Sequence, residues 1–277
     1  MNLKSRRELD IMAEAAIINR EAMETMEKAI RPGVSTLELN AIAEEAIVSR
    51  GAKPAFKGYK RDGRIFPATL CTSVNEVIVH GIPNKSPLKS GDILSVDIGC
   101  FYKGYAADMA KTYRIGPVSE KANRLLEVTE RSLYAGIATA IVGNRLGDIS
   151  AAIQAVVEAE GFWVVREFVG HGIGVKFHEK PDLPNYGEAH KGQKLRPGLV
   201  LAIEPMVLEH ESQAEILADG WTAPSISGCL AAHFEHTVAI TAEGPRILTA
   251  RDQTVRSNLD PEWLYQQFAH GQTARAA

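Results

Sequence analysis

A chain of 277 residues with 45% hydrophobic content can bury a large core, as one domain or as a fused pair of half-domains. Its charged fraction of 23% and formal net charge of -3 lack the basic excess of a nucleic-acid-binding surface, which argues against duplex DNA or RNA as a substrate. Three scattered cysteines, Cys71, Cys100 and Cys229, show no Cys-x-x-Cys spacing, so neither a disulfide scaffold nor a thiolate zinc site is expected. The first ten residues are polar where a signal peptide would be apolar, and no run is apolar enough to cross a bilayer. A cytoplasmic protein with no membrane partner is the expectation.

In chain order, Ser5 and Glu8 have capping-box spacing, and Leu9, Met12, Ala16, Met23 and Met26 recur at helical intervals up to Arg31-Pro32-Gly33. A second box, Ser35 with Glu38, opens a helix that stops at Gly51. Residues 121–140 predict a long helix, 143–147 its break, and 148–160 a shorter helix ended by Gly161. Strand-like runs cover 78–79, 93–99, 111–115, 163–169, 199–204 and 236–241. Paired helices followed by strands, twice over, predict an α+β protein whose helices cover one face of a largely antiparallel sheet. Residues 1–252 form the expected single catalytic domain, with half-repeats of roughly 12–118 and 119–250, and 253–277 an expected partly disordered tail.

The half-repeats can be laid together. Residues 29–30 and 33–51 pair with 140–141 and 143–161 without a gap, and Leu88-Lys89-Ser90-Gly91 through Val96-Asp97 match Leu195-Arg196-Pro197-Gly198 through Ile203-Glu204. Each half then carries a like series: His80, Asp97 and Asp108 in the first, His171, Glu204 and Glu235 in the second. Four carboxylates with at least one imidazole are what two adjacent divalent cations need. Asp97 is expected at the end of one strand and Asp108 at the start of the next, across a turn containing Lys103-Gly104. Glu204, between an apolar run and Pro205, is costly unless paired, neutralised or bound to metal. His171, flanked by glycines, suits a ligand whose second ring nitrogen needs an acceptor. Five ligands suffice if two carboxylates bridge, leaving His80 and His178 to hold a substrate carbonyl or shuttle protons, and His233 as a wall residue. The remaining histidines are assigned no chemical role.

The ordered segments Cys71-Thr72-Ser73-Val74-Asn75-Glu76, His80-Gly81-Ile82-Pro83, Gly170-His171-Gly172-Ile173-Gly174, Phe177-His178-Glu179, Ile203-Glu204-Pro205-Met206, Asp219-Gly220-Trp221 and Phe234-Glu235-His236-Thr237 closely resemble type I methionine aminopeptidases. These are pita-bread dinuclear metallopeptidases that remove initiator methionine, and the resemblance spans about residues 4–251. It implies Asp97, Asp108, His171, Glu204 and Glu235 as ligands of two divalent ions (Mn, Fe, Co or Zn), with Asp108 and Glu235 bridging. It also implies His80 and His178 on the peptide, and a methionine pocket of Tyr59, Phe66, Cys71, Phe177, Met206 and Trp221 with His233 at its edge. Some relatives add a monovalent cation (Na or K) on backbone oxygens near Asn75, Val77 and Ala231.

The expected reaction is attack by metal-bound hydroxide on the first peptide bond when the second residue is small, without an acyl-enzyme. Glu204 would accept the proton, His178 stabilise the oxyanion and His80 bond the peptide nitrogen. The expected partners are nascent polypeptide N-termini and, transiently, the ribosome, with the protein a monomer. The alternatives are an X-Pro aminopeptidase of the same fold and a non-catalytic pita-bread binding module. Residues 57–65 depart from the pattern: the stretch is polar and a few residues longer than in the best-known bacterial members, and His233 stands where glutamine is common.

Overall fold

The computed structural model describes residues 2–253 together with Pro261 and Tyr265, so the expected C-terminal tail lies almost wholly outside the described residues. Helix α1, Arg6–Glu27, starts where the Glu8 carboxylate accepts from the Ser5 amide at 2.7 Å, and α2, Thr36–Ser49, starts at the matching Ser35–Glu38 box. Burial of Met12, Met23 and Met26 fixes the inner face of α1, each side chain contributing roughly 1.5–3 kcal/mol. Helix α3, Glu120–Thr139, is capped by Ser119, and α4 runs Leu146–Ala159. The start of α4 lies two residues before the expected Asp148. Asp148 occupies the third helical position and reaches back to the Arg145 amide at 2.7 Å, which draws the preceding turn into the helix.

Numbering only the strands of the large sheet, β1 is Lys53–Pro54, β2 Leu70–Val74, β3 Ile93–Tyr102, β4 Tyr105–Arg114, β5 Gly170–Gly172, β6 Glu179–Leu183, β7 Val200–Ile203, β8 Glu235–Thr241 and β9 Gly244–Ile247. They pair antiparallel in the order β1-β3-β4-β8-β7-β5-β6, with β2 also on β3 and β9 on β8. One face meets the helices: Val96, Ile98 and Met109 pack in one cluster with residues of α1 and α2, while Leu201, Ile203, Val238 and Ile240 pack in another with α3 and α4. Helix pair and strands thus recur in each half of the chain, as the sequence pattern predicts.

Two strand expectations change. The run 163–169 holds its strand only at Trp163–Val164, which joins Met206–Leu208 and Ala231–His233 in a separate three-stranded sheet. Beyond it the Glu167 carboxylate accepts from the Arg166 and Ala214 amides, bending the chain so that Phe168 meets the edge of the His80 ring. The second change is that β3 and β4 are ten-residue strands paired from Ile93↔Arg114 to Tyr102↔Tyr105. Asp97 and Asp108 therefore lie in mid-strand rather than at strand ends. No helix among the described residues is long and apolar enough to cross a membrane.

Candidate metal centre

Strand side chains alternate between faces, so register decides which residues meet. Asp97 pairs with Ala110 and Gly99 with Asp108 across β3 and β4; Ala110 in turn faces Glu235 on β8. Thr237 of β8 faces Ala202 of β7, which faces His171 of β5. Asp97, Asp108, Glu235 and His171 consequently share the face turned away from the helices, and Glu204 follows the end of β7 on the same parity. Small Ala110 and Ala202 lie between the acids. Thr237 Oγ1 donates to the Asp108 carbonyl at 2.7 Å and pins the central pair of strands.

The ligand atoms of Asp108, His171 and Glu235 lie within 4.8 Å of one another, as do those of Glu204, His233 and Glu235. Asp108 is 3% exposed and Glu235 1%, and buried Asp97 Oδ1, Asp108 Oδ1 and Glu235 Oε1 have no hydrogen-bond partner. His171 Nδ1 lies 2.9 Å from the Gly172 carbonyl, which can only accept, so Nδ1 carries the proton. The lone pair of Nε2 is left toward Glu204 Oε1 at 3.5 Å and Asp108 Oδ2 at 3.9 Å. Orphaned carboxylate oxygens around a correctly protonated imidazole fit divalent metal ions.

Electrostatics agree with that fit. Burial first, then their mutual repulsion, push Asp108, Glu204 and Glu235 well above the usual carboxylate range. Burial raises Asp97 to about 7 against a hydrogen bond with Asp108 that lowers it. Burial lowers His80 and His171 to about 4 and His233 to about 3, with smaller contributions from Arg61 and His178 at His80, from His178 at His171 against the Gly172 hydrogen bond, and from His80 at His233. Such imidazoles are neutral near pH 7, as ligands and acceptors must be. Buried Cys71 faces Asp97 across the β2–β3 pair, and its thiol is pushed well above its ordinary value by burial and the nearby acids, which suits a wall and not a nucleophile.

All fourteen residues singled out in the sequence line one cavity of about 350 Å³. Phe66 and Tyr59 stand edge-on to Trp221, with ring centroids 5.3 and 6.4 Å away, and Met206 is fully buried. Phe177 enters because Gly99 has no side chain; a Cβ there would come within 2.6 Å of the ring. Tyr59 Oη lies 3.0 Å from His178 Nδ1. His80 has a left-handed backbone, φ 59°, and its buried Nδ1 lacks a partner. His233, expected at the pocket edge, sits deeper, with Nε2 3.7 Å from Glu204 and 4.0 Å from Glu235. Sequence reasoning missed Phe56, Arg61, Val79, Glu167, Phe168 and Val169 on the lining. Apart from the polar character of 57–65, nothing in the sequence singles these residues out.

The metallopeptidase family M24 model matches residues 10–242. Methionine aminopeptidase 1 of Bacillus subtilis is 52% identical over 246 residues, covering 89% of this chain and 98% of the relative. The crystal structure of methionine aminopeptidase from Thermotoga maritima superposes with a TM-score of 0.87 at 42% identity, covering 90% of this chain and 99% of that one. A Xaa-Pro dipeptidase from Bacillus anthracis shares the fold alone, with a TM-score of 0.71, 22% identity, and 92% and 63% coverage of the two chains. Matched along nearly their whole length by methionine aminopeptidases, and more distantly by the X-Pro enzymes, the chain belongs to metallopeptidase family M24, among its methionine aminopeptidases.

Proposed function

We propose that this cavity removes the N-terminal methionine from nascent polypeptides whose second residue is small, and that five ligands, four on strands and Glu204 just beyond one, hold two divalent ions. The observation that carries the reading is the placement of orphaned carboxylates on the floor of a pocket walled by aromatic rings and a thioether. In this reading Asp97, Asp108, His171, Glu204 and Glu235 would hold the ions, with Asp108 and Glu235 contributing to both. Bound divalent ions supply acidification of water, polarisation of the scissile carbonyl and a seat for the free α-amine.

The chain's own groups do the rest. Glu204 accepts the proton of the attacking water, with its oxygens 3.5 and 3.7 Å from the nearest imidazole nitrogens. His178, oriented by the Tyr59 hydroxyl, stabilises the oxyanion as it develops, and His80 hydrogen-bonds the peptide nitrogen. The methionine side chain lies among Tyr59, Phe66, Cys71, Phe177, Met206 and Trp221, where sulfur gains against the rings, and buried His233 lines the cavity beside Glu204 and Glu235. Crowding beyond the metal centre restricts the second residue.

Metal identity among Mn, Fe, Co and Zn, a cytoplasmic monomer, and transient docking on the ribosome belong to the same proposal. So does a single catalytic domain of two half-repeats, 12–118 and 119–250. A monovalent ion on backbone oxygens near Asn75, Val77 and Ala231 is compatible with the Asn75 carbonyl, which accepts from the Ala231 amide at 2.9 Å and keeps a second lone pair.

Hydrolysis of Met-Ala-Ser, Leu-Ala-Ser, Met-Lys-Ser and Ala-Pro-Phe, with Mn²⁺ or Co²⁺ and after chelation, tests the reading. Met-Ala-Ser alone is expected to be cleaved rapidly, with metal. The gap to Leu-Ala-Ser is about 1–3 kcal/mol in kcat/KM. Equal rates for methionine and leucine would remove the pocket assignment, and rapid cleavage of Met-Lys-Ser the small-residue rule.

A further inference from the structure

The unusual stretch at residues 57–65 folds as a hairpin whose strands Lys60–Arg61 and Arg64–Ile65 are joined by a tight turn at Asp62-Gly63, φ 49° and 76°. Its base is clamped to two pocket walls, since the Phe66 amide donates to the Tyr59 carbonyl at 2.9 Å. Its inner residue is Arg61, half-buried in the cavity lining, whereas Arg64 opposite is exposed. The Arg61 guanidinium lies 4.7 Å from the centre of the Trp221 ring and gives one hydrogen bond, 3.0 Å, to the Gly220 carbonyl.

Three facts make this arginine more than a clip. Among the described residues, no carboxylate lies within ion-pair distance of it, although a half-buried cation gains from one. Its fork has five donors and one is used. Its positive charge is felt by both His80 and His178, the two imidazoles beside the path of the peptide. With the methionine side chain seated among the rings, the substrate leaves past these histidines at about 3.3–3.6 Å per residue, so the rim group beside them meets the residues just after the scissile bond.

Resting on the aminopeptidase reading, we infer that Arg61 is a specificity-determining residue that recognises a carboxylate on the substrate close behind the cleaved bond, the acidic side chain of a third-position Asp or Glu. The Trp221 ring and the Gly220 carbonyl hold the guanidinium in place, leaving its remaining donors to pair with the carboxylate. Selection then extends beyond the small second residue. Chains beginning Met-small-acidic are trimmed faster than those beginning Met-small-basic, which the guanidinium repels.

The test uses metal-loaded wild type and the Arg61→Met, Arg61→Lys and Arg61→Glu variants on Met-Ala-Asp, Met-Ala-Ser and Met-Ala-Lys amides, and on Met-Ala-Ser with its free carboxylate, at low and high salt. Wild type is expected to favour the aspartate over the lysine amide by about fivefold in kcat/KM at low salt, the scale of a partly exposed ion pair. High salt shrinks that ratio. Arg61→Met flattens it, Arg61→Lys keeps part of it, and Arg61→Glu inverts it. A wild-type ratio within about twofold overturns the inference, as does a ratio untouched by Arg61→Met and Arg61→Glu while all rates fall together. If only the free-carboxylate peptide responds to Arg61, the arginine reads a chain terminus, and the side-chain assignment is wrong. Absence of any hydrolysis of the serine amide by wild type would refute the peptidase reading beneath it, whereas a normal rate with a flat ratio refutes Arg61 alone.

Discussion

Asp97→Asn is expected to destroy the enzyme while stabilising its metal-free form. In the apoprotein Asp97 is held near 7 against an ordinary 3.8 by burial. A carboxyl raised in the folded state adds stability that is fully present below about pH 4 and lost as pH rises through about 7. Above that pH the folded state bears the cost of ionising it: roughly 3 pH units at ~1.4 kcal/mol each, or roughly 4 kcal/mol as an upper bound. Asp97 shares a hydrogen bond with Asp108, so about half of that is a fairer figure for one substitution. At ~2–4 °C per kcal/mol, the metal-free variant should melt about 4–8 °C above metal-free wild type.

The measurement is thermal unfolding after chelation at pH 8. That pH avoids the opposing effect of His80, His171 and His236, lowered to about 4 by burial, which withdraw stability as pH falls from 6.5 toward 4. Added Mn²⁺ should then reverse the order, raising wild type by ~2.7 kcal/mol at a hundredfold excess over Kd and the variant far less. A metal-free Asp97→Asn protein that melts at or below wild type would refute the account of strain at the acid cluster.

Glu235→Ala should abolish hydrolysis with the fold intact, because Glu235 belongs to both ligand groupings; near-normal turnover with metal restored would remove it from the ligand set. His178→Ala should lower kcat by about a hundredfold without changing metal content, and Tyr59→Phe should act in the same direction but less, since Tyr59 orients the ring across 3.0 Å; loss of one bound ion on elemental analysis would make His178 a ligand instead. Lys4→Met should cost about 1–3 kcal/mol in urea unfolding, because it removes the cation 2.5 Å from Glu179, with the two side chains 2% and 8% exposed, and leaves the carboxylate chiefly the Lys176 amide at 3.2 Å; Glu179→Gln in the same chain should restore part of the loss.

The helices and the candidate ligands were legible because their signals are local. A serine three residues before a glutamate announces a cap, and an acid among apolar residues announces a need for a partner. The placement of Asp97 and Asp108 was not legible, since Tyr105-Ala106-Ala107-Asp108 has little of the β-branched pattern that marks a strand. Those alanines are small because other groups occupy the space: Ala106 and Ala107 pack in the cluster that holds Phe177, and Gly99 yields to its ring. The break after Val164 was hidden as well, because it depends on Glu167 capping amides that include one nearly fifty residues away. Arg61 and Phe168 line the cavity through a hairpin and a bend, and spacing along the chain marks neither.

The pairing across five strands also makes the candidate metal centre a checksum on assembly. A one-residue slip in any of those strands would turn its contribution to the helix side, so no misregistered intermediate can collect the full complement of donors. Glu235 is the last donor to be synthesised, and it sits on the strand that joins the two halves of the sheet. If these side chains hold the ions as proposed, full coordination would have to wait for pairing of the strands that carry them. In that reading a chain that has not yet delivered Glu235 lacks a member of both ligand groupings, so catalytic competence would arrive only with the second half of the sheet.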